Sequence, residues 1–310
     1  MCALKASVII PTRGRDECLR QTLRDLGGQD TAPGAFDVWV VDQNEPALSG
    51  LEEALGSAAR LHHHKMAPEG SHAGRNVAIA ATDADICIFV DDDVRLPPHF
   101  VSAHLTAQEL YRQQAPAVAA VAGRVIQPRD GLTEADMVRT GELARYHRLT
   151  GRVTGNFVGF ELGFVDHIHE CNFSALTAVL RQAGGFNEEF RGNAYFEGTD
   201  LSLRIQKLGR RIIYRPDIVL THLQAGAGGN RVQRKAEHTY WYMRNLALLN
   251  SLHMSIVTLP LFTSLGVGYV AGKAIKNMDL AIAIQGLKGL ARGLAYFAPG
   301  ATRMKSRAKK

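Results

Sequence analysis

The first third of the chain alternates short apolar runs with helix-like segments, and this order constrains the fold more than any other feature. Three apolar runs, "ASVIIPT", "FDVWVVD" and "ICIFVDDD", fall within the first 93 residues. A helix is predicted over 15–27, and another follows the second run within "GSHAGRNVAIAATDAD". Strands and helices that alternate in this way form parallel sheets covered by helices. We therefore predict an α/β fold with a mostly parallel sheet flanked by helices.

The alternation becomes less regular after residue 99. "VAAVAGRVIQP" and "RIIYRPDIVLTHLQ" are predicted as β segments, and "NFSALTAVLRQAGGF" as a strand edge followed by a helix that two glycines end. "TDLSLRIQKLG" has the spacing of an amphipathic helix. The change of pattern divides residues 1–245 into two halves, 1–99 and 100–245.

Three consecutive carboxylates, Asp91, Asp92 and Asp93, follow the third apolar run directly. Like charges this close repel one another by about 1 kcal/mol per pair in water and by more at lower dielectric. A solvated polar turn would tolerate them, and so would a cation site. Since ligands of open α/β sheets bind at the carboxyl ends of the strands, we expect Asp42 to share a crevice with this run. Carboxylate oxygens at such a place would suit Mg²⁺ or Mn²⁺.

Charge and cysteine content limit the classes of partner. The net charge of +6 and the pI of about 9.2 favour anionic partners. The chain has no basic patch interleaved with aromatic residues, so we expect no nucleic acid partner. The four cysteines form no CxxC pair, which is typical of reduced thiols in a cytosolic protein. No signal peptide is expected, because Met1 leads almost directly into the first strand.

Residues 246–310 differ from the rest of the chain. Residues 246–272 contain no Asp, Glu, Lys or Arg, and the segment is long enough to span a bilayer. Its polar residues and Pro260 make it a poor spanning helix, and a basic amphipathic stretch and the tail "RMKSRAKK" follow. Such segments lie on anionic membrane surfaces. We predict a helical, membrane-associated region that holds the chain on the cytoplasmic face; the alternative is a helical subdomain packed on the core.

Several motifs together resemble the family 2 glycosyltransferases of the GT-A fold, over about residues 6–245. "SVIIPTRGR" resembles the opening strand and nucleotide loop, and "VVDQ" the strand whose Asp contacts the base. "GRNVAIAATDADICIFVDDDV" is similar to the helix that leads to the metal-binding DxD motif. "CNFSALTAVLRQAGGFNEEF", "FEGTDLSLRIQKLG", "PDIVLTHLQ" and "YMRN" resemble later family segments.

The resemblance implies a nucleotide-binding half (1–99) and an acceptor half (100–245), and the composition of residues 246–310 predicts a C-terminal helical extension. It also implies a binding site for a nucleotide-diphosphate sugar, with these candidate residues: Pro11, Thr12, Arg13, Arg15, Asp42, Arg75, Asn76, Asp91, Asp92, Asn172 and Arg244. The implied ligands of Mn²⁺ or Mg²⁺ are Asp91, Asp93 and His222. Asn76 could instead cap a helix, and Asn172 could be a buried structural residue.

One departure from the family pattern concerns the catalytic base. The family often has a second acidic residue directly after Glu197, where this chain has Gly198. Glu197 is therefore the predicted base, with Asp200 as the rival, although Asp200 could instead cap a helix. The resemblance implies an inverting, metal-dependent transferase that acts on a saccharide or a lipid-linked acceptor, in cell-surface polysaccharide or glycolipid synthesis. The alternatives are an inactive nucleotide- or sugar-binding membrane protein and a sugar-phosphate nucleotidyltransferase.

Overall fold

The computed structural model describes residues 4–128, 143–226, 228–229 and 234–298 of the chain. The helices of the first 128 residues are α1 (Asp16–Gly27), α2 (Leu51–Leu55), α3 (Ser71–Ala81) and α4 (Phe100–Gln114). The strands of this part are β1 (Ala6–Thr12), β2 (Phe36–Asp42), β3 (Arg60–Lys65), β4 (Ile86–Phe89), β5 (Val94–Arg95) and β6 (Val118–Ile126).

The second part of the chain adds short strands, one long strand and further helices. Its strands are β7 (Arg145–His147), β8 (Arg152–Thr154), β9 (Gly163–Val165), β10 (Phe173–Leu176) and β11 (Arg211–His222). Its helices are α5 (Thr177–Ala183), α6 (Glu197–Lys207), α7 (Lys235–His253), α8 (Leu259–Asn277) and α9 (Leu280–Leu294), with 3-10 turns at Ile256–Thr258 and Ala295–Phe297.

The central sheet has the strand order β3-β2-β1-β4-β10-β6-β11-β5, and β9 also pairs with β11. Strands β1 to β4 run parallel to one another, as the alternation of the first 93 residues predicts. β10 runs antiparallel between β4 and β6, whereas β6 and β11 are parallel. The fold is therefore an α/β fold with a largely parallel sheet, and the predicted fold class is confirmed.

Successive side chains of a strand point to opposite faces of the sheet. Apolar side chains on both faces are therefore covered by helices. Every residue of β1 is buried. Val8 and Ile10 pack in one core with the apolar residues of α1 and α4, whereas Ile9 packs in a second core with those of α3 and α5. A strand that is buried on both faces reads as a continuous apolar run, which explains the sequence pattern of this strand.

Helix α7 connects the sheet domain to the C-terminal helices. The predicted boundary between residues 245 and 246 falls inside α7, so one continuous helix joins the two predicted parts. Helix α9 packs closely on α7, since a Cβ at Gly289 would lie 2.8 Å from the backbone carbon of Tyr240 and one at Gly293 would lie 3.1 Å from Cα of Arg244. The C-terminal helices predicted from the sequence are present; the basic tail from Arg303 to Lys310 lies outside the described residues.

Candidate active site

A cleft of about 560 Å³ opens at the carboxyl ends of β1 and β4. This is the size range of small-molecule sites, and the position is the one expected for a ligand of an open α/β sheet. Nine of the predicted site residues line the cleft: Pro11, Thr12, Arg13, Arg15, Arg75, Asp91, Asp92, Glu197 and His222. The lining also includes residues that the sequence analysis did not single out, among them Gln43, Ser71, Gln127, His169, Glu170 and Tyr195.

The acidic run is held in place by neighbouring donors. The Thr12 hydroxyl donates to Asp92 over 2.8 Å, and the Arg15 guanidinium lies 2.9 Å from Asp92 and 3.1 Å from Asp93. The backbone N–H of Ala225 donates to Asp93 over 2.8 Å. These donors from the loops after β1 and β11 offset the repulsion among the three carboxylates, so the run is neither a plain solvated turn nor an unpaired cluster.

The donors act differently on the pKa values of the two inner carboxyls. Burial dominates at Asp92 and raises the pKa of that carboxyl to about 6. Burial also tends to raise the pKa of Asp93, but His222 and Arg15 outweigh it and leave that pKa below its usual value. Asp93 therefore stays ionised at neutral pH, as a metal ligand must.

Asp91, Asp93 and His222 present their ligand atoms within 4.8 Å of one another. His222 is the last residue of β11, and its Nε2 lies 3.2 Å from Asp93 and 3.9 Å from Asp91. Asp91 is the open member of the group, with 27% of its side chain exposed toward the cleft, whereas Asp93 is fully buried. Two carboxylates and an imidazole are suitable ligands for Mn²⁺ or Mg²⁺, so the residues fit the predicted cation.

Arg75 joins the two acidic sides of the cleft. From α3, its guanidinium lies 2.5 Å from Glu197 at the start of α6 and 2.9 Å from Asp91. His72 contacts the second oxygen of Glu197 over 3.1 Å. Burial alone would lower the pKa of Arg75, but Glu197 and Asp91 outweigh it and raise that pKa, so the side chain is a fixed cation.

Glu170 is a functional candidate that sequence reasoning missed. It lies between the β9 and β10 strands, in a loop without periodicity, and lines the cleft beside Glu197. Its Oε1 accepts a hydrogen bond of 3.0 Å from the backbone N–H of Gly198. Burial, and then the charge of Glu197, raise the pKa of this carboxyl to about 7. The only sequence signal was its place two residues before the Asn172 of the "CNFSAL" motif.

Four of the predicted nucleotide-binding residues, Asp42, Asn76, Asn172 and Arg244, are not part of the cleft lining, because their polar groups are used elsewhere. Asp42 is fully buried and accepts hydrogen bonds from the backbone of Leu48 and from Asn44, with His63 3.0 Å away. Asn76 pairs with the backbone of Phe186 and the side chain of Glu188, and so ties α3 to the segment after α5.

Asn172 is the third of these residues, and it has the structural role that the sequence analysis left open. Its amide donates to the backbone oxygens of Arg124 and Ile218 and contacts His104 over 3.1 Å. A Cβ at Gly123 would collide with this amide, so the glycine makes room for it. The side chain therefore joins β6, β11 and α4 beneath the cleft.

Asp200 and Arg244 also lie outside the cleft lining. Asp200, the predicted rival base, is buried against Arg204 at 2.8 Å and His253 at 2.7 Å, so it is engaged by residues of α6 and α7. Arg244 is buried and donates to the backbone oxygen of Glu189 and to the Tyr296 hydroxyl. Both residues fix the C-terminal helices against the sheet domain.

Comparisons with known proteins agree with this geometry. No curated protein matches the chain. Among solved structures, S. aureus TarS superimposes with a TM-score of 0.55 and 18% identity, over 85% of this chain and 42% of TarS. TarS 1-349 in complex with UDP-GlcNAc gives a TM-score of 0.57 and 14% identity, over 95% of this chain and 90% of that one.

A mannosyltransferase from Pyrobaculum calidifontis, PcManGT in complex with GDP-Man and Mn2+, gives a TM-score of 0.53 and 16% identity, over 96% of this chain and 86% of that one. At these identities the structures show the fold, which is the GT-A fold. The model of the glycosyl transferase family 2 matches residues 7–168, which is just over half of the 310 residues. The chain therefore belongs to glycosyl transferase family 2 and is a glycosyltransferase.

Proposed function

We propose that the chain transfers a sugar from a nucleotide-diphosphate sugar to a hydroxyl acceptor, with inversion at the anomeric carbon and with Mn²⁺ or Mg²⁺ bound. The observation that carries the proposal is the convergence of Asp91, Asp93 and His222 at the cleft, next to the arginines of the loop after β1. The neighbours support it, since TarS binds UDP-GlcNAc and PcManGT binds GDP-Man and Mn2+.

The side chains of the cleft have distinct tasks in this reaction. Arg13 and Arg15 would bind the diphosphate, to which a guanidinium fork is well matched. A divalent cation held by Asp91, Asp93 and His222 would neutralise negative charge on the nucleotide diphosphate as it leaves. Arg75 fixes Asp91 and Glu197 relative to each other, and a carboxylate of the acceptor half takes the proton of the attacking hydroxyl.

The donor can be identified by thermal stabilisation with a panel of UDP- and GDP-sugars, each measured with Mn²⁺ and with EDTA. A donor that binds at 100 times its dissociation constant stabilises the fold by about 2.7 kcal/mol. We expect one nucleotide series to raise the melting temperature with Mn²⁺ and to lose most of this effect with EDTA. Equal stabilisation in Mn²⁺ and in EDTA would refute the metal assignment. A donor that binds but is not cleaved would favour the alternative of an inactive binding protein.

We further propose that the C-terminal helices hold the enzyme on the cytoplasmic face of an anionic membrane. Of the described residues, the segment Ile256–Asn277 is long and apolar enough to cross a membrane, and only 17% of its apolar 18-residue stretch is buried. Large apolar side chains are exposed on the segment from Ile256 to Leu287: Ile256, Val257, Leu261, Leu265, Val267, Tyr269, Ile275, Met278, Leu280, Ile284 and Leu287. Exposed apolar patches of this extent mark interaction surfaces.

Charge favours an anionic lipid surface as the partner of this patch. Lys276 and Lys288 are exposed on α8 and α9, and each basic residue near an anionic leaflet contributes about 1 kcal/mol. Because Asn250, Ser251 and Pro260 interrupt the charge-free stretch 246–272, a helix lying in the interface suits the sequence better than a spanning one.

Aromatic side chains connect this surface with the cleft. Tyr195 lines the cleft and contacts Tyr242 of α7, with ring centroids 5.7 Å apart; Tyr242 in turn stacks on the exposed Tyr269 of α8 at 5.5 Å. An acceptor that is part lipid and part saccharide could contact both places at once. We therefore propose a saccharide or lipid-linked acceptor at the membrane surface, as in polysaccharide or glycolipid synthesis.

A further inference from the structure

Position 198 is a glycine because another side chain occupies the space beside it. The backbone at Gly198 is ordinary helix and does not have a positive φ, so the conformation does not require glycine. A Cβ at this position would lie 2.7 Å from Cδ and 2.8 Å from Cγ of Glu170. Glu170 therefore brings a carboxylate from a different segment to the first turn of α6, where a side chain at position 198 would project.

The two carboxylates of this region differ in how strongly they are engaged. Glu197 has 4% of its side chain exposed, contacts the Arg75 guanidinium at 2.5 Å and has His72 at 3.1 Å. The buried Arg75 guanidinium therefore occupies Oε1 of Glu197, a contact that suits a positioning role. Glu170 lines the same cleft and forms no ion pair within the described part of the chain; its Oε1 is oriented by the N–H of Gly198.

We propose that Glu170 is the general base of the transfer and that Glu197 is a positioning residue that holds Arg75. This assignment rests on the proposed function. It differs from the prediction made from the sequence, which gave the role to Glu197 because no acidic residue follows it. The base is supplied by the loop before β10, and Gly198 leaves room for it.

The acceptor oxygen forms a bond to the anomeric carbon while its proton passes to the Glu170 carboxylate. The bond between the anomeric carbon and the phosphate oxygen breaks, and the nucleotide diphosphate leaves with the electron pair. Glu170 then releases its proton to solvent. Water follows the same course as any hydroxyl, whereas the azide anion can attack the anomeric carbon without losing a proton.

Comparison of water with azide therefore separates a base from a positioning residue. With the UDP- or GDP-sugar that the wild-type enzyme cleaves, nucleotide release is measured in Mn²⁺ with and without sodium azide. We expect Glu170→Gln to lower release in water by roughly 10²–10⁴-fold and to leave azide-supported release near the wild-type rate. Glu197→Gln should lower both rates by the same factor. Glu161→Gln, an exposed residue of the same half, is the matched control.

A second pair of variants tests the position of the carboxylate. Glu170→Ala removes the three atoms nearest to a Cβ at position 198, so E170A/G198D can place a carboxylate there. We expect the double variant to recover part of the hydrolysis that E170A loses. If E170Q hydrolyses the donor at the wild-type rate, or loses equal activity with water and with azide, the assignment of Glu170 as the base is wrong. The proposed function would not be affected by either result. Absence of wild-type turnover with every donor would overturn the proposed function and this assignment with it.

Discussion

Arg75 and Glu197 are 122 positions apart in the chain, yet the guanidinium of one lies 2.5 Å from the carboxylate of the other. The contact joins α3 in residues 1–99 to α6 in residues 100–245. Because the second arm of Arg75 contacts Asp91 at 2.9 Å, one cation fixes the spacing between the acidic run and the first turn of α6.

We expect Arg75→Met to destabilise the fold by about 3–5 kcal/mol, because it leaves Glu197 buried without its partner. Urea denaturation measures the change. Arg95→Met is the matched control: Arg95 pairs with Asp25 at 2.8 Å but is 51% exposed, and such pairs contribute about 0–1 kcal/mol. The double variant R75M/E197Q should lose less than the sum of the single losses, and strict additivity would contradict a direct coupling.

Asp93→Asn should weaken Mn²⁺ binding while the fold is kept, because an amide replaces a charged ligand without a change of shape. Even the loss of an outer-shell partner costs about 10–100-fold in metal affinity, so we expect at least this much. Calorimetric titration with Mn²⁺ alone gives the affinity, independently of any donor. The control is Asp217→Asn, an exposed residue on the same strand as His222. Equal affinity in the wild type and D93N would refute the metal site.

The rate of donor hydrolysis should rise with pH through about 7. Burial and the Glu197 charge raise the pKa of Glu170 to about 7, and a base acts only in its ionised form. Removal of the neighbouring charge lowers the pKa, so Glu197→Gln should move the rising limb to lower pH. Rates measured from pH 5 to 9 show this limb, and a shift in the opposite direction would contradict the coupling between the two carboxyls.

The same pKa shift predicts how Glu170→Gln changes stability with pH. A carboxyl whose pKa is raised on folding from 4.5 to about 7 contributes stability below about pH 4.5 and loses that contribution as pH rises through 7. The Gln variant carries no such charge, so relative to the wild type it should be more stable at pH 8 than at pH 5. Thermal denaturation of both proteins at pH 5 and pH 8 measures the difference in stability between variant and wild type. The same difference at both pH values would contradict the raised pKa of Glu170.

Charge reversal on the C-terminal helices should weaken membrane binding. At about 1 kcal/mol for each basic residue, K276E/K288E should lower affinity for anionic phospholipid vesicles roughly 30-fold or more. Sedimentation with vesicles at low salt measures this, and R60E/K65E, a reversal on the edge strand β3, should bind like the wild type. If the wild type does not sediment with the vesicles, the membrane proposal is wrong and the helices form a packed subdomain.

The sequence predicted the features that depend on strand order. β1, β2 and β4 are mostly apolar because both faces are largely buried. Their carboxyl ends meet at one edge, so Asp91 and Asp93 could be placed at a cleft. His222 joins them because β11 ends at the same edge. Polar residues with alternative partners could not be placed in this way. Asp42, Asn76, Asn172, Asp200 and Arg244 have residue types suited to ligand binding, but each is engaged in a local network that no pattern reveals.

Glu170, in contrast, lines the cleft but could not be predicted from the sequence. Its loop has no periodicity, and its position beside Gly198 depends on how the segment before β10 packs on α6. The glycine at 198 signalled a missing carboxylate, but only the three-dimensional structure shows that a carboxylate from elsewhere lies beside it.

We propose that this cleft cleaves a nucleotide-diphosphate sugar with the help of a divalent cation. The most direct measurement is the release of UDP or GDP from the donor panel by the wild-type enzyme, quantified by chromatography in Mn²⁺ and in EDTA. We expect release from the donors of one nucleotide series in Mn²⁺ and a loss of that release in EDTA. Release at the same rate in EDTA, or no release from any donor in Mn²⁺, would contradict it.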